Sequence, residues 1–410
     1  MERNILKSYL KQSQKDVKQN NLTLILNTII KYEPLSRADI VRITKISKPT
    51  VSNLIEELLQ RKAIIEIGMG ASKGGRKPVL IRFNNSQKYI IAVDLGREDC
   101  TVAIADLKGN ILNKANEKFD KQNCLKDKLK ITKNLIIQLM NDLKIDRDLI
   151  YKISCIAPGI YVERGKELKW SPENTQNEGS DIKKYFESEF NVGVIINHST
   201  KLSLLGEKVS GKAKEYKNVL YIDFAYGLGC SFMIDGNIYF GINNSAGEFG
   251  YFYSNLQEFK EYSVIPYEFG GLEKRISGYA LQNKGVERAK NNPHSKILDL
   301  ANGDFNKITG RTIFQAAMEG DQEALEILKE SFQYFNMALA NIINLLTPEI
   351  IIFGGGFSNA GNFLLNLINE EIKEKVLYMP KLEISEMKKD ASIVGAIHFL
   401  LDNTNLLEEI

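Results

Sequence analysis

Apolar side chains change their spacing at about residue 86 of this 410-residue chain. From about residue 17 to Leu59 they recur every three or four residues, which predicts amphipathic helices from about 17 to 32, after Ser36 and after Ser47. Both serines are predicted helix N-caps, because a hydroxyl oxygen accepts a hydrogen bond from a free N–H group of the first turn. Pro49 suits the first turn of the third helix, where a missing N–H removes no hydrogen bond.

A strand, AIIEIG, a loop, MGASKGGRKP, and a second strand follow these helices. Gly74 and Gly75 of the loop allow a tight turn, and its lysines and arginine make the tip basic. Two helices joined by a short turn and followed by such a strand pair are typical of a winged helix-turn-helix, which places one helix in the DNA major groove. We therefore predict a DNA-binding domain over residues 1–86.

The candidate DNA contacts lie near the start of the third helix and on the loop. Small polar side chains on that helix can reach base edges or phosphates, and the basic residues nearby can contact the DNA backbone. The predicted DNA-binding residues are Arg37, Lys45, Lys48, Thr50, Ser52, Asn53, Lys73, Gly74, Gly75, Arg76 and Lys77.

The charge distribution agrees with this division. Residues 1–86 contain 16 Lys and Arg against 7 Asp and Glu, whereas the remaining residues contain 38 against 44. A basic head on a mildly acidic body is expected when only the head meets phosphate. No apolar run is long enough to span a membrane, the N-terminus lacks the apolar core of a signal peptide, and the four cysteines are scattered. These features predict a cytoplasmic protein.

From Tyr89 the pattern becomes that of strands. Two strands joined by a turn, a tight turn at Lys108-Gly109 and a third strand form a first unit. A similar unit after residue 217 has its hairpin at Asp235-Gly236. Two such units, each followed by helices, predict a duplicated α/β body with a ligand cleft between its halves. We expect a first lobe over 87–205 and a second over 206–410.

The order of motifs resembles the ROK family (repressors, open reading frames and kinases), in particular its branch of xylose and N-acetylglucosamine repressors. This resemblance implies an actin-like ATPase fold for the body. The matching segments are SRADIVRITKISKPTVSNLIEELL, GGRKP, AVDLG, APGIYVERG, SPEN, INHSTKLSLLGE, YGLGCSFMIDGNIYFG, SAGEFGY, GLEKRISG, PEIIIFGGGFSNAG and SIVGAI.

The resemblance also implies that the kinase motifs have changed. The family's catalytic base is the aspartate of an Asn-Asp motif, and here Asn197 is followed by His198. The first phosphate loop has Arg97-Glu98-Asp99 where the family has glycine, threonine and a small or basic residue. The second has Ala225-Tyr226-Gly227 in place of Gly-Thr-Gly. Carboxylates repel a polyphosphate and a tyrosine crowds it, so we expect no enzyme activity.

By the same resemblance, the family's structural zinc is expected to be absent. Its histidine is replaced by Tyr251, and no cysteine follows in EYSVIPYEFGGLE. We expect neither a metal nor a cofactor. Aromatic side chains in this stretch could pack in place of the zinc.

The sugar-recognition positions are kept. The resemblance places Asn174, Asn197, Glu248 and Glu273 where the family contacts sugar hydroxyls, and His198 and Tyr251 would line the same pocket. Carboxylates and amides bind vicinal hydroxyls through paired hydrogen bonds. His198 could equally be a structural histidine, and Trp170 could either stack on a sugar or pack.

The prediction is a sugar-responsive transcriptional regulator, a repressor of carbohydrate-utilisation genes, which binds a double-stranded operator as a homodimer or dimer of dimers. Xylose, glucose, N-acetylglucosamine, a sugar phosphate or a disaccharide all remain candidate effectors, and the effector could induce or co-repress. Two alternatives stay open. One is an ATP-dependent sugar kinase with a DNA-binding domain, and the other is a constitutive dimeric DNA-binding protein.

Overall fold

The computed structural model describes residues 14–71, 77–120, 122–157, 160–162, 167–170, 178–242, 244–261 and 269–404. The N-terminal head consists of three helices and a three-stranded sheet in the order β1-β3-β2. The elements are α1 (Gln14–Tyr32), β1 (Leu35–Ser36), α2 (Arg37–Thr44), α3 (Lys48–Gln60), β2 (Ile64–Met69) and β3 (Val79–Phe83). This is the predicted winged helix-turn-helix, with β1 as an additional strand.

Both predicted N-caps are confirmed. Ser36 Oγ accepts from Asp39 N at 3.2 Å, and Asp39 Oδ2 accepts from Ser36 N at 3.1 Å, so the two residues cap α2 reciprocally. The Ser47 side chain caps α3 through Thr50 N, and Pro49 lies in the first turn. These caps fix the residues at which the two helices of the motif, α2 and α3, begin.

The first lobe is built on a five-stranded sheet in the order β10-β7-β4-β5-β6. Strands β4 to β6 are antiparallel, and β7 and β10 continue the sheet in parallel. Its elements are β4 (Tyr89–Leu95), β5 (Asp99–Asp106), β6 (Ile111–Lys118), α4 (Leu125–Leu143), β7 (Ile150–Ile156), β8 (Ile160–Val162), β9 (Glu167–Trp170), α5 (Glu178–Phe190) and β10 (Gly193–Asn197).

The second lobe repeats this arrangement, with the sheet order β13-β12-β11-β14-β15. The repetition confirms the duplication expected from the sequence, and the hairpin turn at Asp235-Gly236 has positive φ at both residues. The elements are α6 (Ser199–Ser210), β11 (Val219–Phe224), β12 (Leu228–Ile234), β13 (Asn237–Ile238), α7 (Leu256–Glu261), α8 (Glu273–Ile276), α9 (Gly278–Asn291), α10 (Lys296–Leu300), α11 (Gly310–Met318), α12 (Gln322–Leu346), β14 (Ile350–Gly355), α13 (Asn362–Ile372), β15 (Lys381–Ile384) and α14 (Asp390–Asp402).

Helices α6 and α14 each pack on the sheet of the other lobe from the strands that precede them in the chain. Helix α6 follows the last strand of the first sheet and packs on strands of the second, whereas α14 follows the second sheet and packs on β4 and β7 of the first. The last helix, which the sequence-based division gives to residues 206–410, therefore packs with the first lobe, and the boundary at 205 falls inside α6. Apart from this departure, the division into 1–86, 87–205 and 206–410 stays a prediction.

The head and the first lobe share one apolar core. Side chains of α1, α2 and α3 belong to the same buried cluster as residues of β4, β5 and α14. Polar contacts reinforce this join: Asn85 Nδ2 donates to Asp106 Oδ2 at 2.5 Å, and Leu107 N donates to Asn85 O at 3.0 Å. The head is thus packed against the first lobe. Within the described part of the chain, no helix is both long enough and apolar enough to cross a membrane.

Candidate DNA-reading helix and sugar-binding cleft

Helix α3 has one buried face and one polar face. Val51, Leu54, Ile55 and Leu58 are buried, whereas the predicted contacts on the other face are at least partly accessible. Lys48 and Asn53 are exposed, and Thr50 and Ser52 are half-buried. The Thr50 hydroxyl lies 2.8 Å from Ser47 Oγ, so it also takes part in the helix cap. The accessible polar face near the helix start is the geometry that major-groove reading requires.

Arg37 has intramolecular partners on two elements. Its guanidinium pairs with Glu56 of α3 at 2.7 Å and with Glu66 of β2 at 3.0 Å. A DNA phosphate would have to compete with those two carboxylates for the guanidinium. Arg37 therefore has a structural role, and its DNA contact stays a prediction. Lys45 is exposed at the left-handed C-cap of α2, at the turn between the two helices of the motif.

Strands β2 and β3 form the wing. They pair in antiparallel from Ile64↔Phe83 to Met69↔Val79, and Gly70 N donates to Pro78 O at 2.8 Å. Lys77 is exposed at the end of the hairpin. The other predicted wing contacts, Lys73, Gly74, Gly75 and Arg76, lie outside the described residues, so their DNA contacts stay predictions.

The cleft between the lobes contains a cluster of polar groups around the start of α6. Asn197 ends β10, and His198 N-caps α6. The side-chain nitrogen Nδ2 of Asn197 is buried and has no hydrogen-bond partner among the described residues. A buried amide without a partner costs free energy, and a ligand hydroxyl placed there would offset that cost.

His198 is held as a neutral imidazole. Removal from solvent, together with the nearby Lys201 ammonium, lowers its pKa to about 3. Its Nδ1 lies 3.1 Å from Thr200 Oγ1. A neutral imidazole can accept or donate one hydrogen bond on each nitrogen, so this contact leaves Nε2 for a neighbouring group.

Lys201 is a buried cation that sequence reasoning missed. Only 3% of the residue is exposed, and Nζ donates to Asn244 O at 2.7 Å. Burial lowers the pKa of Lys201 and raises the pKa of Glu248, and each charge partly offsets the change in the other. The signal available in the sequence was a lysine within the first turn of the helix that follows Asn197-His198. Its ammonium holds the loop that carries Glu248.

Glu273 and Tyr251 lie beside Glu248. Burial raises the pKa of Glu273 to about 7, although backbone N–H groups of Leu228 and Gly270 donate to its carboxylate, and the Glu248 charge raises it further. Burial and these two carboxylates raise the pKa of Tyr251 to about 12. The structure thus brings Asn197, His198, Tyr251 and Glu273 together around Lys201 and Glu248. Asn174 and the side chain of Trp170 lie outside the described residues.

Glu273 also supports the second phosphate loop. Its Oε1 accepts from Leu228 N at 2.8 Å, and a Cβ at Gly227 would lie 2.3 Å from this oxygen. One carboxylate oxygen is therefore used by the protein itself. The sugar contact predicted for Glu273 would have to share this carboxylate with the backbone.

The two altered phosphate loops contact each other across the cleft. The Arg97 guanidinium carbon lies 3.7 Å from the centre of the Tyr226 ring, a cation–π contact. Tyr226 also packs on Phe269 and Tyr279, with ring centres 5.7 and 5.6 Å away. The residues that replace glycine and threonine therefore occupy the space between the loops with side chains.

Two carboxylates near the first loop, Asp94 and Asp99, are bound to residues at the start of α14. Ser392 Oγ donates to Asp94 Oδ2 at 2.7 Å, and Lys389 forms an ion pair with Asp99. Burial raises the pKa of Asp94, and burial together with Asp94 raises that of Asp223 to about 6. These side chains are committed to contacts within the protein.

Residues 90–403 match the model of the ROK family. The chain belongs to the ROK family. A relative named xylose repressor, from Caldicellulosiruptor bescii, is 28% identical over 395 residues, which cover 94% of this chain and 96% of the relative.

Two solved structures are similar in fold. A ROK family transcriptional regulator, described as a homolog of the E. coli MLC protein, is 24% identical with a TM-score of 0.72 and covers 94% of this chain and 96% of its own. A ROK family glucokinase from Streptomyces griseus, in complex with glucose and AMPPNP, is 21% identical with a TM-score of 0.64 over 76% of this chain and 98% of its own. The fold is thus the actin-like fold of the family, which regulators and sugar kinases share.

Proposed function

We propose that this chain is a sugar-responsive transcriptional regulator, a repressor of carbohydrate-utilisation genes, that acts in the cytoplasm. The observation that carries the proposal is that a winged helix-turn-helix with an accessible recognition helix shares one apolar core with a ROK body. The full-length similarity to a protein named xylose repressor supports it.

The effector in this proposal is a monosaccharide or a derivative of one, bound at the polar side of the cleft. The buried, unpartnered Asn197 amide and the Glu248 carboxylate beside Lys201 are groups that can pair with vicinal hydroxyls. Asn174, His198, Tyr251 and Glu273 complete the proposed set. A sugar that lacks one of the matched hydroxyls should bind more weakly, because a buried polar group is then left unpaired.

We also propose that the body does not phosphorylate its ligand. Phosphoryl transfer requires room for a polyphosphate and donors directed at it. Here Arg97 and Tyr226 fill the space between the two loops, and Asp94 and Asp99 are bonded to α14. A nucleotide would have to displace these contacts before it could bind.

The proposed assembly is a homodimer or a dimer of dimers on a palindromic operator. One winged helix makes too few DNA contacts for tight specific binding, and two heads on half-sites one helical turn apart would supply them. Light scattering of the full chain with and without operator DNA tests this part directly.

Fluorescence anisotropy tests the regulator function as a whole. The probe is a labelled duplex, selected from random DNA by the wild-type protein and titrated with and without xylose, glucose or N-acetylglucosamine. We expect one sugar to change operator affinity, and Glu248→Ala to lose that change while retaining operator binding without sugar.

The same samples separate the two alternatives. Sugar-dependent ATP turnover that is lost in His198→Ala would establish the kinase. Tight operator binding that no sugar alters, together with no thermal stabilisation by any sugar, would establish the constitutive DNA-binding protein.

A further inference from the structure

Helix α14 joins the cleft to the face of the first lobe that carries the head. Its first turn is bonded to the cleft through Ser392 and Asp94, and its last turns pack on the β5–β6 turn at Lys108-Gly109. At 1.5 Å per residue, its 13 residues span about 20 Å. A single helix therefore touches both the first phosphate loop and the base of the head.

At the head end, the contact between α14 and the β5–β6 turn depends on a glycine. Gly109 has a φ of +84°, and a Cβ there would lie 2.8 Å from His398 Nε2. The neighbouring Lys108 forms an ion pair with Glu33 at the end of the head's first helix. The second oxygen of Glu33 accepts from Phe83 N of β3 at 2.5 Å. One carboxylate thus ties this turn to both a helix and a wing strand of the head.

In the same last turns, α14 also contacts the segment that leads to Glu248 in the second lobe. The Phe399 ring of α14 lies 6.1 Å from the Phe240 ring of the second lobe. Phe240 O accepts from Ala246 N at 3.1 Å, two residues before Glu248. Phe399 is adjacent in sequence to His398, which packs on Gly109. A movement of the Glu248 loop would therefore press directly on the part of α14 that contacts the head's support.

Helices α6 and α14 contact each other backbone to backbone. A Cβ at Gly206 would lie 2.0 Å from Ala391 O, and one at Gly395 would lie 1.8 Å from Leu202 O. This close approach ties α14 to the helix whose first turn carries Lys201. The effector site therefore contacts α14 both through α6 and through Phe240.

We propose that α14 transmits effector occupancy to the DNA-binding head through its last turns, where Phe399 packs on Phe240 and the adjacent His398 packs on the turn whose Lys108 pairs with Glu33. This inference rests on the proposed function, because it assigns a route to the response of operator affinity to sugar. Coupling of this kind is a free energy shared by two sites, so it can be lost while each site still binds its own ligand.

The first test measures the ratio of operator dissociation constants with and without saturating xylose, glucose or N-acetylglucosamine, and uses whichever of these sugars changes the wild-type affinity. Couplings in regulatory proteins are typically about 5- to 150-fold, and we expect Phe240→Ala and Lys108→Met each to reduce the wild-type ratio to within about twofold of unity. The matched controls are Tyr253→Ala, which removes an exposed aromatic ring packed on Phe259, and Lys381→Met, which breaks an ion pair with Glu383 of the second lobe. The controls should retain the wild-type ratio. Retention of that ratio in Phe240→Ala and Lys108→Met as well would overturn the inference.

The second test needs no effector. Hydrogen exchange of wild type and Phe240→Ala is compared by mass spectrometry, with circular dichroism to verify the fold. We expect at least a threefold faster exchange in peptides covering 26–36 and 104–112 in Phe240→Ala, and no change there in Tyr253→Ala. Unchanged exchange in both peptides would contradict the route. If no sugar changes the operator affinity of the wild-type protein in the first test, the proposed function fails. The exchange experiment then still decides whether α14 couples the cleft to the head.

Discussion

Replacing Glu273 by glutamine should remove a loss of stability that the wild-type protein suffers as pH rises. Glu273 is 8% exposed, and burial raises its pKa from the ordinary value of 4.5 to about 7. Because the folded-state pKa lies above the unfolded one, the protonated form favours folding. Its contribution is fully present below about pH 4.5 and is lost as pH rises through about 7.

The magnitude follows from the two pKa values. At about 1.4 kcal/mol for each pH unit between 4.5 and about 7, ionisation of Glu273 costs about 3 kcal/mol of unfolding free energy in total. About 2.5 kcal/mol of this is lost between pH 5 and pH 8. Glutamine is uncharged over this range, and its side-chain oxygen can still accept from Leu228 N, a bond that is 2.8 Å long in the wild type. Relative to wild type, Glu273→Gln should therefore gain about 2.5 kcal/mol from pH 5 to pH 8.

Urea unfolding at pH 5, 6, 7 and 8, followed by circular dichroism, measures this difference. Glu258→Gln is the matched control, because it removes another buried glutamate whose pKa is lowered. At Glu258, burial raises the pKa, but hydrogen bonds from Ser254 and the Arg275 ion pair lower it by more. That control should be destabilised by a similar amount at every pH above about 5, since wild-type Glu258 stays ionised throughout. A difference between Glu273→Gln and wild type that is constant from pH 5 to pH 8 would refute the reasoning.

Three further outcomes are expected. Lys201→Met leaves Asn244 O without its donor and should weaken sugar binding by about tenfold in calorimetry. Operator affinity in the absence of sugar should be unchanged. A sugar affinity equal to that of wild type would exclude Lys201 from the site. Asn53→Ala should cost about 1–3 kcal/mol on the selected operator and relax base preference, and an equal loss on every sequence would remove Asn53 from the base-reading set. Arg76→Ala should lower the slope of log affinity against log salt by about 1, and an unchanged slope would count against a phosphate contact.

The local elements were predictable because their signals lie within a few residues of one another. Ser36, and Ser47 with Pro49, start two of the three helices of the head, since a cap needs only a hydroxyl and the next turn. The hairpin at Asp235-Gly236 needed only two residues that tolerate positive φ. The duplicated strand pattern likewise predicted two similar sheets, which have the same strand order.

The resemblance to a family supplied most of the candidate cleft. Asn197, His198, Glu248, Tyr251 and Glu273 were identified from motifs, and the structure brings them together. Their contacts with a sugar remain predictions. The motifs carried no information about the hydrogen bond that the Glu273 carboxylate accepts from the backbone, because its partner Leu228 lies 45 residues away in sequence.

The sequence by itself determined the kind of elements, the basic head, the repeated α/β body and the family. Tertiary structure alone decided which distant side chains meet. It placed Lys201 beside Glu248, stacked Arg97 on Tyr226, and returned α14 to the first lobe with Phe399 against Phe240. The physical reason is that hydrophobic periodicity specifies which face of an element is buried, whereas the partner on the opposite side depends on how all the elements pack at once.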